Sequence, residues 1–355
     1  MEMLVNPEAW KGRRVLVTGH TGFKGGWLCL WLHRMGAIVT GLSLPAPTDP
    51  SFFEQTRLAA LVEHKIGDVR DLQQVAHAIA TAQPEIVFHL AAQPLVRYSY
   101  DNPVETYATN VMGTVHVLEA CRAVDSVTAL VCVTSDKCYE NREWHWPYRE
   151  NDPIGGHDPY SSSKGAAEIA VAAWRRSYPA GPAIASVRAG NVIGGGDWAN
   201  DRLVPDIIRA LLAGVPVQVR NPDSIRPWQH VLDALSGYLL LGQRLLEGDR
   251  GAGAAWNFGP SEDDARPVGW IVEQMLAGWG SAQDWRRPEA AGPHEATLLR
   301  LDTSKARNEL GWKPTLRLHE ALSIIVDWHK QVAHGGDARD ISLRQIDGFA
   351  LRGAA

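Results

Sequence analysis

Arg14-Val15-Leu16-Val17-Thr18-Gly19-His20-Thr21-Gly22-Phe23-Lys24-Gly25-Gly26-Trp27-Leu28-Cys29-Leu30-Trp31-Leu32 is the stretch whose reading decides the fold. The short apolar run at residues 14–18 is bounded by charge and glycine, as a buried parallel strand is, and the residues after Gly25 continue as a largely buried helix. Between them stands Gly19-x-x-Gly22-x-x-Gly25, a spacing that differs from the commoner GxGxxG. The physics is shared. Glycines let the backbone turn tightly and approach a pyrophosphate, which rests on the N-terminal end of the helix. Gly19, Thr21, Gly22, Phe23, Lys24 and Gly25 are therefore candidate cofactor-binding residues.

Downstream the chain alternates strand and helix. Residues 37–44 read as the second parallel strand. An acidic residue is expected near its end to hold a ribose 2′-hydroxyl, but Ser43 stands there and the next acid, Asp49, lies beyond two prolines. The second strand therefore leaves NAD and NADP both open. Residues 64–69 give a third strand, whose Asp68 either reaches an adenine amino group beside Val69 or caps the helix opening at Asp71. Residues 85–92 form a fourth, running into Leu90, Ala91 and Ala92, which would let a flat ring lie close. A long helix at 103–123 holds Asn110, a poor interior helix residue, either as a surface polar group or as part of a site.

Residues 129–133 are the fifth strand, which delivers Thr134-Ser135-Asp136-Lys137 to the sheet's carboxyl edge, where open α/β sheets hold their ligands. Residues 140–156 form a polar loop long enough for a lid. Asp158 or Pro159 opens a helix carrying Tyr160 and Lys164, and 183–187 is the sixth strand. The expectation is an α/β fold: a doubly wound parallel sheet over residues 12–190, then a smaller mixed substrate-binding portion over 191–332 from which the chain is free to cross back to the sheet. Residues 333–355, Gly-rich and then polar, read as a loosely held tail.

The composition of the 355 residues narrows the function classes. A hydrophobic fraction of 45% with 21% charged residues supports a sizeable core, and a net charge of −5 offers no basic face for duplex nucleic acid. No apolar run approaches the roughly 18 residues that cross a bilayer, and no secretory signal is visible, so a cytoplasmic protein without membrane contact is expected. Cys29, Cys121, Cys132 and Cys138 show no CxxC spacing, which argues for buried reduced thiols and against a zinc site.

Ser135, Asp136 and Lys137 offer three proton-handling groups of very different basicity. Tyr160 and Lys164 lie four apart and share one helix face. A lysine ammonium beside a phenol favours the phenolate, so the Tyr160 pKa is expected below its usual value of about 10. Joined to the glycine turn and to Ser135, the pair becomes a base able to take a proton from a sugar alcohol.

With Gly19-x-x-Gly22-x-x-Gly25, Leu90-Ala91-Ala92, Asn110, Ser135, Tyr160-x-x-x-Lys164 and Leu310-Gly311-Trp312-Lys313-Pro314, the chain resembles the extended short-chain dehydrogenase/reductase family from about residue 12 to about residue 330. The resemblance implies a Rossmann domain holding NAD and a C-terminal portion gripping a nucleotide sugar. Where dehydratases of the family carry Asp-Glu after the serine, this chain has Asp136-Lys137. That change, with Gly194-Gly195-Gly196-Asp197-Trp198 and Arg226-Pro227-Trp228-Gln229-His230, is similar to the nucleotide-sugar 4,6-dehydratases that act on CDP-glucose.

A dehydratase needs an acid and a base beyond the tyrosine and lysine. Asp136 is expected as the acid for the C6 hydroxyl and Lys137 as the base at C5, if burial or positive neighbours bring the lysine towards about 7–8; otherwise Lys137 pairs with Asp136 or binds phosphate. The resemblance further points to Asn191, Arg202 and Arg226 near the diphosphate, and to a homodimer or homotetramer through the helices at 103–123 and 158–178. His230 is expected to pack or to touch a ribose. The rival readings are a nucleotide-sugar 4-epimerase, a dehydratase of another nucleotide sugar, and a non-catalytic NAD-binding scaffold.

Overall fold

Strands β1 (Arg14–Thr18), β2 (Ile38–Ser43), β3 (Glu63–Ile66), β4 (Ile86–His89), β5 (Ala129–Val133), β6 (Ala183–Ala189) and β7 (Ala255–Phe258) form one parallel sheet in the computed structural model, which describes residues 5–287 and 298–353. Their order is β7-β6-β5-β4-β1-β2-β3, and each neighbouring pair runs parallel. The order reverses between β1 and β4, where Thr18 faces His89 across the ladder. The crevice outside that reversal is where such sheets bind ligands.

Side chains alternate across the sheet with period two. Leu16, Val87, Leu130 and Cys132 point to one face, where α2 (Leu72–Ala82) and α3 supply Val75, Ile79, Val117 and Leu118. Here α3 comprises Pro103–Tyr107, a π turn at Ala108–Met112 and Gly113–Arg122. The next helix, α4 (Pro159–Ser177), adds Val171 to the same layer. Val15, Val17, Phe88 and Val131 point the other way, into a core with Trp27 and Leu30 of α1 (Phe23–Arg34). Beyond the sheet, α5 (Leu203–Ala213), α7 (Val268–Trp279) and α8 (Leu318–Ala333) close a smaller core around Ile207, Ile271, Met275 and Ile325.

The C-terminal portion does cross back. After Asn191–Ile193 pairs with Trp228–His230, α6 (Val231–Leu246) returns to the sheet and β7 pairs with β6. Two expectations are corrected. The presumed tail at 333–355 carries α9 (Ala338–Gly353), which packs Ile341, Ile346 and Phe349 into the main core. Arg34 grips Asp347 with two hydrogen bonds of 3.0 and 3.1 Å, and Trp328 donates to Ser342 at 2.9 Å. Its polar composition hid a narrow apolar stripe.

Nor do residues 140–156 border the cleft. Tyr139 and Tyr148 stack at 5.1 Å, Trp144 stacks on Tyr148 at 5.4 Å, and this aromatic set buries against Leu299 and Leu301. The loop is thus a small core of its own. Docking of α9 supplies the fold's first testable consequence: Phe349→Ala should lower the unfolding free energy by about 3 kcal/mol, read by denaturant titration.

Candidate active site

Gly19, Thr21 and the start of α1 form the floor of a cleft of about 630 Å³ that also takes in the carboxyl ends of β4 and β5 and the first turns of α4 and α5. Gly19 has φ +77°, and a Cβ there would lie 2.7 Å from the Ala91 nitrogen; one on Gly25 would lie 2.2 Å from the Gly19 carbonyl oxygen. Only glycine fits this cradle. Gly22 caps α1 without a side-chain hydrogen bond, so no side chain covers the helix end that faces the cleft. Both observations fit a pyrophosphate on the helix N-terminus.

At the end of β2, Thr21 Oγ1 and Ser43 Oγ lie 2.8 Å apart, and both residues line the cleft with Asp68, Val69, Leu90, Ala91 and Ala92. Asp68 does not cap the following helix. Asp71 does so itself, accepting from the Gln73 and Gln74 nitrogens, while Asp68 pairs with Arg70 at 2.6 Å.

A buried relay links this floor to α4. Thr18 Oγ1 accepts from the Leu90 and Ala91 nitrogens, which leaves its own proton for His89 Nδ1 at 2.8 Å. The ring proton then belongs on Nε2, 3.1 Å from Thr114 Oγ1, and Thr114 donates onward to the Asn110 carbonyl at 2.7 Å. Burial pushes the His89 pKa down to about 3, so the ring stays neutral. Asn110 is no surface residue. The π turn points its buried amide at Gln93 and at Ser163 Oγ, 2.9 Å away, and Ser163 donates to the Tyr160 carbonyl at 2.7 Å.

Ser135 caps the single turn Asp136–Cys138: its Oγ accepts from the Lys137 nitrogen at 3.2 Å and donates to Asp136 Oδ1 at 3.0 Å. Asp136 is buried and its second oxygen has no hydrogen-bond partner. Burial pushes its pKa up, against the pull of Lys137, Ser135 and Arg226. The shift favours the protonated form of a carboxyl group that lines the cleft. Half-buried Lys137 lines the same wall.

Asp158 starts α4 by accepting from the Ser161 nitrogen at 2.9 Å with Pro159 in the first turn, which fixes Tyr160 and Lys164 on the cleft side. The expected lowering of Tyr160 is corrected. Burial pushes its pKa up to about 12; the Ser135 hydroxyl and Arg202 pull it down and Asp136 pushes it up, so desolvation wins in the ligand-free cleft. Lys164 donates to the Val133 carbonyl at 3.4 Å, and burial pushes its pKa down to about 8. Lys24 reaches Tyr238 Oη at 3.5 Å on the cleft floor, and burial with Arg202 and Lys164 nearby brings its pKa to about 7.

The far end of the cleft holds Asn191, Arg202 and Arg226. His230 packs without reaching the cleft wall: it caps α6 and is fully buried. Sequence reasoning passed over four charged groups here, Asp197, Asp201, Arg220 and Arg97. Asp197 holds Arg202 at 3.1 Å, and Asp201 pairs with Arg220 at 3.1 Å and Arg97 at 3.6 Å. Asp197 stood in a quoted motif, but the arginines carry no local signal. The cleft therefore joins a pyrophosphate cradle, a tyrosine–lysine pair, a carboxyl group with a lysine beside it, and a cationic end suited to a second diphosphate.

The family described as GDP-mannose 4,6 dehydratase matches residues 16–325. The chain is 54% identical over 353 residues, 98% of both chains, to a CDP-glucose 4,6-dehydratase of Salmonella typhimurium. Among solved structures it resembles the UDP-glucose 4-epimerase of Thermus thermophilus in complex with NAD, with a TM-score of 0.77 and 25% identity over 89% of this chain and 99% of that one. The dTDP-glucose 4,6-dehydratase of Streptomyces venezuelae shares the fold, with a TM-score of 0.78 and 22% identity over 92% and 99%.

The lowered Lys164 pKa has a sign that stability measurements read. Below about 8 the folded protein keeps a buried charge at a cost; between about 8 and the ordinary 10.5 the unfolded chain binds the extra proton, so stability rises with pH. Wild-type protein should therefore gain stability relative to Lys164→Met from pH 8 to 10, and a flat difference would refute the burial effect.

Proposed function

Because this chain belongs to the GDP-mannose 4,6 dehydratase family, we propose that it removes water from CDP-glucose to give the 4-keto-6-deoxy sugar, with NAD in the cleft. The observation that carries this reading is the Asp136–Lys137 pair beside Ser135 and Tyr160 in one enclosed cleft. An epimerase would leave that pair without a task. The glycine cradle, Thr21, Ser43, Asp68 and Val69 hold the dinucleotide, Leu90, Ala91 and Ala92 its flat face, and Tyr160 and Lys164 the nicotinamide end. When bound there, NAD would supply the hydride acceptor for C4 of the sugar and the hydride donor for C6.

This chain's own residues handle the protons. Tyr160 accepts the C4 hydroxyl proton, with Ser135 bonded to the same oxygen. The positive charges of Lys164 and of the oxidised nicotinamide offset the desolvation that keeps the phenol protonated in the ligand-free cleft. The new C4 carbonyl acidifies the C5 hydrogen; Lys137, as the neutral amine, removes that proton and returns it to C5 when hydride reaches C6. Asp136, whose protonated form burial favours, gives its proton to the departing C6 hydroxyl. Arg202 and Arg226 grip the diphosphate with Asn191, Asp197 fixing the first arginine. Water exclusion strengthens each of these contacts.

The substrate is a nucleotide sugar, and the protein acts as a homo-oligomer. Val104, Tyr107 and Met112 on α3 and Ile169 on α4 are 80%, 40%, 47% and 61% exposed, and an apolar face of this kind fits a second copy. Sedimentation of Ile169→Arg as a monomer beside a larger wild type is the expected result; equal size would count against this face.

Incubation with CDP-glucose should yield a keto sugar that absorbs in alkali, whereas a hexose isomer as sole product would overturn the reading. Lys137→Ala should slow product formation by about 10²-fold or more while still oxidising the sugar, seen as the nicotinamide absorbance change on mixing. Normal turnover in that variant would remove the lysine from its role.

A further inference from the structure

Glu168 lies one helical turn beyond Lys164 on the same face of α4 and is 4% exposed. Its carboxylate is fully engaged. Oε2 accepts from Arg188 Nη2 and from Ser186 Oγ, both on β6 and both at 2.8 Å, and Oε1 accepts from Thr134 Oγ1. Burial alone would push its pKa up, but the Arg188 guanidinium and the two hydroxyls hold it below the usual carboxylate range, so the group is charged. Arg188 is itself buried, and its other nitrogen donates to Tyr139 Oη at 2.8 Å and to the Glu150 carbonyl at 3.0 Å. A buried ion pair costs desolvation that packed apolar residues would avoid. It stands directly behind the tyrosine–lysine pair.

Two consequences of this placement meet in the site. Thr134 is the residue before Ser135, and its hydroxyl ties the end of β5 to α4 through Glu168 and to β6 through the Val187 carbonyl at 3.2 Å. The turn carrying Ser135, Asp136 and Lys137 is therefore hung from this carboxylate. Second, Glu168 is the main negative charge facing the Lys164 ammonium. Cys132 on β5 and Cys138 in the turn are kept neutral by burial, Lys24 of α1 brings a like charge near Lys164, and His89 on β4 is neutral.

We propose that Glu168 is a positioning residue for the reaction: its negative charge, one helical turn away, favours the Lys164 ammonium, and the same carboxylate holds the Ser135–Lys137 turn through Thr134. The inference rests on the reading of Tyr160 and Lys164 as the proton-accepting pair. Glu168 touches neither sugar nor cofactor. It acts through Lys164, whose pKa of about 8 leaves little margin at neutral pH once the opposing carboxylate is gone.

The test compares wild type with Glu168→Gln and with the double variant Glu168→Gln/Arg188→Met, which leaves no unpaired buried guanidinium should the single variant fold poorly. The alkaline limb of the kcat profile should move down by about one pH unit or more in both. The same movement should appear without turnover, as a lower onset of the stability gain against Lys164→Met made in each background. Uniform loss of kcat with an unmoved limb and an unmoved stability onset would reduce Glu168 to packing and overturn the proposal. If wild type leaves CDP-glucose unchanged at every pH, the functional reading fails, and the stability onset alone still decides the role of Glu168.

Discussion

A lysine ammonium kept charged in a nearly dry site is the constraint that the rest of this structure serves. Lys164 sits on a helix packed against a parallel sheet, where its own burial works against its charge. The fold answers by placing polar groups at strand ends. β5 delivers the Ser135–Lys137 turn, β6 brings Arg188 and Ser186 to Glu168, and β4 brings His89 to Thr18. Parallel strands end together on one edge, so groups from distant sequence positions meet there without long loops.

Rigidity behind the cleft has a second source. Trp27 of α1 stacks on Phe52 at 4.9 Å and donates to the Gly195 carbonyl at 2.9 Å, while Trp328 lies beyond Phe52 and is tied to α9 through Ser342. This aromatic column joins the cofactor helix, the C-terminal helix and the segment leading to Asp197 and Arg202. Arg202, proposed to meet the substrate, is thus braced by the element that the sequence presented as a tail.

The glycine turn, the parallel strands and the Tyr160–Lys164 face were legible because each rests on a local rule: a turn that tolerates no Cβ, apolar runs between breakers, and a four-residue helical repeat. Glu168, one further four-residue step along the same face, was passed over, because a glutamate on a helix usually faces water. What stayed hidden depended on distant partners. Residues 140–156 bury their aromatics against Leu299 and Leu301, and α9 docks on a helix some three hundred residues earlier, through Asp347 and Arg34. The Tyr160 pKa was misjudged for a related reason. Spacing shows that a lysine is near, but it does not show how completely the cleft excludes water.

In the proposed reaction these parts lend out a hydride and reclaim it two carbons away, with the protons passing through Tyr160, Lys137 and Asp136. Retention is what makes the loan internal: a hydride carried as a C–H bond does not exchange with water, so it returns to the same sugar as long as carrier and sugar stay together in the cleft lined by Tyr160, Asp136 and the glycine cradle. The most direct measurement follows deuterium placed at C4 of CDP-glucose through a single turnover. The account predicts that the label arrives at C6 of the 4-keto product on the same sugar; its loss to water would contradict it.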